Sequence, residues 1–176
     1  MTRLARSGFI WLFLFTGCSS MKVPQFAGER PLFDPTRFFA GHTSSIGVME
    51  NRRGAPEEIV RTQTTGHWEG KTFLLEQDLE VGEAKPQHRS WRIRRLDAHH
   101  FSATANDVVG TAVGEVYGNA FHWSFPLALS PGNPLATVRL SQWMYLQPDG
   151  QTMVNHTTIT KFGLVVAQVT EQFRRR

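Results

Sequence analysis

The sequence has only one cysteine, Cys18, among its 176 residues. A single cysteine excludes an internal disulfide and any metal site built on several thiolates, so the core must stabilise the fold. Concentrated charge is also missing. The formal net charge of +4 includes Arg3, Arg6 and the terminal arginines 174–176. A nucleic-acid-binding domain clusters basic residues on one face, and we therefore expect no nucleic-acid partner.

The chain also lacks the local motifs of the common enzyme classes. It contains no Gly-x-Ser-x-Gly, no glycine-rich phosphate loop before a helix, no His-Glu-x-x-His and no Cys-x-x-Cys. Its seven histidines show no paired ligand spacing, so we expect no metal site and no cofactor, with His156 as a haem ligand the remaining alternative. We predict that the protein is not an enzyme, unless carboxylates meet in space.

No apolar run is long enough for a membrane-spanning helix, which needs about 20 residues. The apolar run at 9–15 is far shorter, and it lies between two arginines and a small-residue site. This order is typical of a bacterial signal peptide. Residues 15–18, Phe-Thr-Gly-Cys, resemble the bacterial lipobox, whose cysteine is acylated and becomes the new N-terminus. The resemblance implies a signal peptide over 1–17 and lipid attachment at Cys18. An ordinary secretory peptide is the alternative.

The residue after Cys18 indicates in which membrane a lipoprotein of this kind resides. Lipoproteins that stay in the inner membrane of Gram-negative cells tend to carry aspartate there, whereas this chain has Ser19. The resemblance therefore implies the outer membrane, facing the periplasm. The bilayer is the expected partner of acylated Cys18, and several chains would anchor it permanently, since each buried methylene contributes about 0.8 kcal/mol. We predict a lipidated tether over 18–32 and one domain over 33–176.

Strand patterns dominate the chain after its first forty residues. Before them, Asp34 followed by Pro35 predicts the start of a short N-terminal helix. Alternation and turn residues then predict about nine strands, over 45–51, 58–68, 71–81, 87–96, 100–109, 111–129, 136–146, 151–160 and 164–173. Antiparallel strands joined by short loops form a sheet with two exposed edge strands, and closing the sheet into a barrel removes these edges. We predict an all-β fold, a single antiparallel up-and-down barrel that is lipocalin-like, with a two-sheet sandwich as the alternative.

The size of the side chains at alternate positions changes along the predicted strand over 111–129 and the residue before it. Alternate positions from Gly110 through Gly114 to Gly118 are nearly bare, whereas those from Phe121 onward are bulky. Glycine in a strand often marks a bend or the close approach of another group. We predict one long, strongly coiled strand whose bare face is covered by neighbouring side chains or by a ligand.

A second candidate feature is an arginine on an apolar face. In strand register Arg89 shares its face with Trp91, and a buried arginine requires a carboxylate or a ligand. Glu76 or Asp107 could supply the carboxylate. An interior lined by Trp91, Trp123, Phe125 and Met144 is the expected result. The candidate ligand-binding residues are therefore Arg89, Trp91, Asp107, Gly110, Gly114, Gly118, Asn119, Trp123 and Met144.

Several short motifs resemble one family when they are taken together. They are Phe33-x-Pro35, Phe38-Phe39-x-Gly41, Gly66-x-Trp68-x-Gly70, Arg89-x-Trp91, Asp107-Val108-x-Gly110-x-Ala112-x-Gly114, Gly118-Asn119-Ala120-x-x-Trp123, Trp143-Met144, Asn155 and Lys161-Phe162-Gly163. In these the chain is similar to a bacterial lipoprotein family known as domain of unknown function 3833. The resemblance implies a lipoprotein with one lipocalin-like barrel, and it supplies no activity or catalytic residues.

Two functions follow from this reasoning. The first is an outer-membrane lipoprotein whose barrel binds an apolar or amphipathic small molecule. The second is a structural or interaction lipoprotein with a packed core and an envelope protein as partner. The barrel interior distinguishes them, because small-molecule sites have volumes on the order of several hundred Å3.

Overall fold

Ten antiparallel strands follow one another around a closed barrel. The computed structural model describes residues 20–130 and 132–176. Each strand pairs with its neighbours in sequence, and the first pairs with the last. The strands are β1 Gly41–Asn51, β2 Pro56–Glu69, β3 Thr72–Val81, β4 Gln87–Arg95, β5 His100–Ala105, β6 Ala112–Tyr117, β7 Ala120–Ala128, β8 Thr137–Leu146, β9 Thr152–Lys161 and β10 Leu164–Arg175. The predicted all-β, single up-and-down barrel is confirmed.

In the part of the chain that the structure describes, three short helices accompany the strands. They are a 3-10 helix Val23–Phe26, the α-helix α1 Pro35–Phe38 and a 3-10 helix Pro134–Ala136. The predicted short N-terminal helix begins after Asp34, whose carboxylate accepts hydrogen bonds from the backbone N–H groups of Thr36 at 3.0 Å and Arg37 at 3.2 Å. These bonds satisfy donors that a helix start leaves unpaired. Within the described residues, no helix combines the length and apolar character needed to cross a membrane.

The segment before α1 lies against the outside of the barrel. Val23 is buried, and the Phe26 ring lies 5.6 Å from the ring of Tyr145 on β8. These contacts remove apolar surface from water, which favours the packed state. The predicted tether over 18–32 is therefore packed from Val23 onward. Its first two residues and the predicted signal peptide lie outside the described residues.

The predicted strand over 111–129 is two strands, β6 and β7. A turn at Gly118 and Asn119 separates them, and Gly118 has a φ of 53°, which glycine adopts without steric cost. Gly114 on β6 pairs with Trp123 on β7. The prediction of one long coiled strand is wrong, because the glycine and asparagine reverse the chain. The bare position Gly114 therefore lies on β6, and the bulky positions from Phe121 onward lie on the neighbouring strand β7.

One end of the barrel is closed by residues 33–39, which we call the plug. The backbone N–H of Phe33 donates to the carbonyl oxygen of Gly118 at 2.7 Å. The Phe39 ring meets that of Phe173 edge-on at 5.7 Å. Since the strands alternate in direction, the turns after β1, β3, β5, β7 and β9 all lie at the opposite end. We call this the far end.

Candidate functional site

The inner surface of the barrel is divided into a polar and an apolar wall. The polar wall comes from β1, β2, β9 and β10, and its buried polar residues are Thr43, Ser45, Thr62, Thr64, Asn155, Thr157 and Glu171. The apolar wall comes from β3 to β8, and its bulkiest buried residues are Phe73, Trp91, Phe101, Phe121, Trp123, Phe125 and Met144. Ligand sites combine mostly apolar lining with a few placed polar groups. This interior has that composition.

A cavity lies between the two walls. Its atom-free space is about 590 Å3, part of it open to solvent, and the centres of water molecules can occupy about 40 Å3 of it. This second value is well below the volume of a typical small-molecule site, which is on the order of several hundred Å3, so side chains fill most of the interior. Its polar lining consists of Thr64, Gln77, Arg89, Gln142, Asn155 and Glu171. Pro35 and Phe39 of the plug form part of its lining, so the cavity is closed toward that end.

Two tryptophans dominate the apolar wall. The rings of Trp91 and Trp123 stack with centroids 4.7 Å apart and an interplanar angle of 27°. The indole N–H of Trp91 donates to Gln77 Oε1 at 3.3 Å, and that of Trp123 donates to Gln142 Oε1 at 2.5 Å. Buried indoles require such partners, and these fix both rings at the cavity. Met144 lines the same cavity.

Arg89 points inward and pairs with Asp107. Its Nε donates to Oδ1 at 2.8 Å and to Oδ2 at 2.9 Å, and its Nη2 lies 2.7 Å from Oδ2. Only 9% of the arginine side chain is exposed, so the carboxylate offsets much of the cost of burying this charge. Glu76, the other predicted partner, instead accepts from Ser90 and contacts the His88 ring at 2.9 Å.

A carboxylate on the polar wall has no cation beside it among the described residues. Glu171 is 7% exposed. Its Oε1 accepts from Ser45 Oγ at 2.7 Å and from Thr62 Oγ1 at 2.9 Å, while its Oε2 accepts from Asn155 Nδ2 at 3.3 Å. Buried charges normally have a partner of opposite sign. This glutamate faces the cavity with hydrogen bonds alone.

Asn155 carries a second unusual group. It is 1% exposed, and within the described residues its Oδ1 accepts no hydrogen bond. Its Nδ2 donates to Glu171 and, at 3.2 Å, to Thr157 Oγ1. With Glu171 ionised, a flipped amide would place Oδ1 against the glutamate oxygen, which favours the orientation described. The unpaired oxygen is a buried acceptor in the lining of the cavity.

The glycines predicted as ligand-binding residues lie at a close contact or where the backbone has a positive φ. A Cβ at Gly114 would lie 2.7 Å from Cε2 of Phe121, so a neighbouring side chain covers the bare face there. Gly110 and Gly118 lie in turns with positive φ. The Nδ2 of Asn119 donates to the carbonyl oxygen of Leu146 at 3.2 Å. The cavity lining contains none of Gly110, Gly114, Gly118 and Asn119.

Of the predicted candidates, Arg89, Trp91, Trp123 and Met144 line the cavity, Asp107 reaches it through Arg89, and Phe125 is buried outside the lining. Our prediction missed Glu171 as a site residue. On β10 the inward positions read Val169, Glu171 and Phe173, and a charged residue between two apolar ones in strand alternation was the available signal.

The histidines lie away from the cavity lining. His156, the proposed haem alternative, alternates with the inward-facing Asn155 and Thr157, and its Nδ1 lies 3.2 Å from Thr170 Oγ1. Within residues 20–130 and 132–176, no cluster of three or more His, Cys, Asp or Glu side chains could hold a metal ion.

Comparison with known proteins places the chain in a family. The model of the family described as Protein of unknown function (DUF3833) matches residues 12–175. The chain belongs to this family. The match covers the whole barrel of this DUF3833 protein and confirms the family resemblance seen in its sequence motifs. Among curated protein sequences none matches it significantly.

Several solved structures have a fold similar to that of this DUF3833 protein. The S-type phycobiliprotein lyase CPES from Guillardia theta matches with a TM-score of 0.59 and 8% identity, over 80% of this chain and 90% of the lyase. A DUF3598 protein from Nostoc punctiforme PCC 73102 matches with a TM-score of 0.58 and 14% identity, over 84% of this chain and 51% of that protein. Rv2717c from M. tuberculosis matches with a TM-score of 0.56 and 13% identity, over 82% of this chain and 99% of Rv2717c. At these identities the likeness concerns the barrel fold.

Proposed function

We propose that this DUF3833 protein is a lipid-anchored binding protein whose barrel holds a small apolar or amphipathic molecule. The lining of the cavity, an apolar tryptophan wall facing a few buried polar groups, is the observation that carries the proposal. An apolar body would contact Trp91 and Trp123, while a polar group would meet Asn155 and Glu171. The similar fold of the S-type phycobiliprotein lyase is in line with this proposal, as a likeness of fold only.

Binding rather than catalysis is the activity we propose for this site. Asp107 neutralises Arg89, and three donors hold the Glu171 carboxylate. Groups engaged in this way orient and recognise a molecule. A general acid or base must instead be free to exchange a proton with the reacting group.

The anchor in this proposal is an acyl group on Cys18, at the outer membrane and facing the periplasm. Packing against the barrel begins at Val23, and five residues span at most about 17 Å. The nearby Phe26 lies beside Gly118 and Tyr145 at the plugged end. The proposed anchor would therefore hold the plugged end near the membrane and direct the far end toward the periplasm.

Intrinsic fluorescence tests the binding proposal. We expect an apolar or amphipathic ligand to shift the emission of Trp91 and Trp123, so titration with short alkyl and phenylalkyl compounds should give saturable changes. The variant Trp123→Phe should lose most of the signal. The variant Trp68→Phe, at a half-exposed position near the end of β2 and outside the cavity lining, should keep it. No saturable change with any compound would reject the proposal.

Fatty-acid labelling tests the anchor. In a Gram-negative host grown with an alkyne analogue of palmitate, the full chain should take up the label and fractionate with the outer membrane. The variant Cys18→Ser should take up no label and leave that fraction. A labelled Cys18→Ser variant, or an unlabelled wild-type chain, would contradict lipid attachment at this residue.

A second candidate function, contact with another envelope protein, has one observation in its favour. At the far end the β9–β10 turn exposes Phe162 by 82% and Leu164 by 72%, with Val165 and Val166 partly exposed beside them. Clustered apolar side chains on a surface often mark an interface. A photo-crosslinking residue at position 162 should give a discrete adduct in cells, and the same residue at position 83 should not. Equal behaviour at both positions would reject this candidate.

A further inference from the structure

The charge inside the cavity restricts what the proposed ligand can be. Glu171 lines the cavity, lies inside the barrel wall and is more than nine-tenths buried. Burying an isolated carboxylate is costly unless it is paired. The inference below rests on the proposed function, because it concerns the molecule that the barrel holds.

The hydrogen bonds of Glu171 are those of an ionised carboxylate. Both of its oxygens accept, Oε1 from two hydroxyl groups and Oε2 from an amide. A protonated carboxyl would turn one oxygen into a donor, and the hydroxyl of Ser45 or Thr62 would then have to accept from it. The Asn155 Nδ2 that faces Oε2 can only donate. With Glu171 ionised, which this pattern of accepted hydrogen bonds fits, the site contains a negative charge.

The only other charged residue in the cavity lining is already balanced. Arg89 makes its short contacts to both oxygens of Asp107. Within the described residues, Glu171 makes no ion pair. A ligand that brings one positive charge would compensate the Glu171 carboxylate.

The unpaired oxygen of Asn155 points to the same ligand group. Asn155 Nδ2 lies 3.3 Å from Glu171 Oε2, so the amide and the carboxylate are adjacent on the polar wall. A primary ammonium has three N–H donors and no acceptor. One donor can bond to the carboxylate. Because the amide oxygen is fully buried, a bond from a second donor requires the Asn155 side chain to turn toward the ligand. A hydroxyl has only one donor for these two acceptors.

The apolar wall suits the rest of such a molecule. The faces of Trp91 and Trp123 carry negative charge density, which attracts cations. Phe121 and Met144 complete an apolar surface beside them. The cavity is small, which limits the apolar body of the ligand to one aromatic ring or a short alkyl chain.

We propose that the barrel ligand is a small organic cation with a primary ammonium group. Glu171 and the Oδ1 of Asn155 bind the ammonium, and the tryptophan wall contacts its apolar body. Recognition therefore depends on the positive charge as well as on the apolar surface.

A series of three compounds of matched shape tests this assignment. Phenethylamine, 2-phenylethanol and phenylacetate carry an ammonium, a hydroxyl and a carboxylate on the same ring, and calorimetric titration at neutral pH gives each Kd. We expect the amine to bind about 10- to 100-fold more tightly than the alcohol, since a hydrogen bond to a charged group contributes about 1.5–3 kcal/mol. The acid should bind most weakly.

The variant Glu171→Gln should remove the preference for the amine and leave the affinity for the alcohol within about threefold of the wild type. The matched control Glu83→Gln, at an exposed position in the β3–β4 turn, should keep the preference. If Glu171→Gln does not fold, the ranking of the three compounds by the wild-type chain still decides.

The outcomes separate this inference from the proposed function. Binding of the alcohol as tightly as the amine, or tighter binding of the acid, would overturn the ammonium assignment and leave a binding barrel. An amine preference that persists in folded Glu171→Gln would also overturn it. Absence of binding by all three compounds would reject both.

Discussion

Arg89 and Asp107 form a bidentate ion pair between β4 and the loop that follows β5, with N···O distances of 2.7 to 2.9 Å. The arginine is almost fully buried, while 23% of the aspartate side chain is exposed. The guanidinium also lies 5.7 Å from the centroid of the Trp91 ring. The pair thus fixes a charge and an indole beside the cavity.

Removing the anion of this pair should destabilise the barrel. The variant Asp107→Asn leaves a buried arginine without its counter-ion, and we expect a loss of about 3 kcal/mol in the free energy of unfolding. Urea denaturation followed by circular dichroism measures it. The exposed control Glu80→Gln should stay within about 0.5 kcal/mol of the wild type. An Asp107→Asn variant as stable as the control would contradict the role given to this pair.

Adding a methyl group at Gly114 should also cost stability. The new Cβ would overlap the Phe121 ring, which is buried and has little room to move. Overpacking of this kind costs about 1–3 kcal/mol, and we expect Gly114→Ala to lower the urea midpoint accordingly. Gly28→Ala is the matched control, because a Cβ there meets nothing within 4 Å. Equal midpoints for the two variants would count against the packing described for Phe121.

The barrel could be predicted from the sequence because its determinants are local. Alternation along each strand placed Arg89 and Trp91 on one inward face, and turn residues marked most hairpins. Gly118 was misread, because a glycine fits both a bare strand position and a positive-φ turn. Glu171 was missed for a different reason. Two of its donors, Ser45 and Thr62, are 126 and 109 residues away in sequence, and only closure of the barrel brings them together.

Asp34 should contribute to the stability of the plug through its cap. It accepts from Thr36 and Arg37 backbone N–H groups and pairs with Arg95 at 2.5 Å. Asp34→Ala removes both interactions and should cost about 1–2 kcal/mol. Asp34→Asn keeps an oxygen for the cap and loses only a partly exposed ion pair, which contributes about 0–1 kcal/mol.

Urea unfolding of the two Asp34 variants checks this order. If Asp34→Asn is destabilised as much as Asp34→Ala, the ion pair with Arg95 rather than the cap holds the plug. Emission of the tryptophans should shift toward longer wavelength in the less stable variant at intermediate urea concentrations. Such a shift reports water reaching the apolar wall.

Two histidines should change the pH dependence of stability in opposite directions. Burial lowers the pKa of His122, with the nearby Glu115 charge opposing the shift. The folded protein therefore resists a proton that the unfolded chain accepts near its ordinary pKa of about 6.5. Stability from this group is lost as pH falls through that value. The hydrogen bond to Asp78 raises the pKa of His88, and contacts with Glu76 add to this effect while desolvation opposes it. Its contribution is present below about pH 6.5 and is lost as pH rises through the folded pKa.

The variants His122→Asn and His88→Asn separate these contributions. Relative to the wild type, His122→Asn should become more stable as pH falls from about 7.5 to 5.5, and His88→Asn should become less stable over the same window. The effect of His88 should be the smaller one, because solvent screens its exposed contacts. Free energies of unfolding from urea titrations at several pH values measure both differences. Parallel curves for His122→Asn and the wild type would show that burial of this imidazole, beside Ser141 at 2.9 Å, does not oppose its protonation.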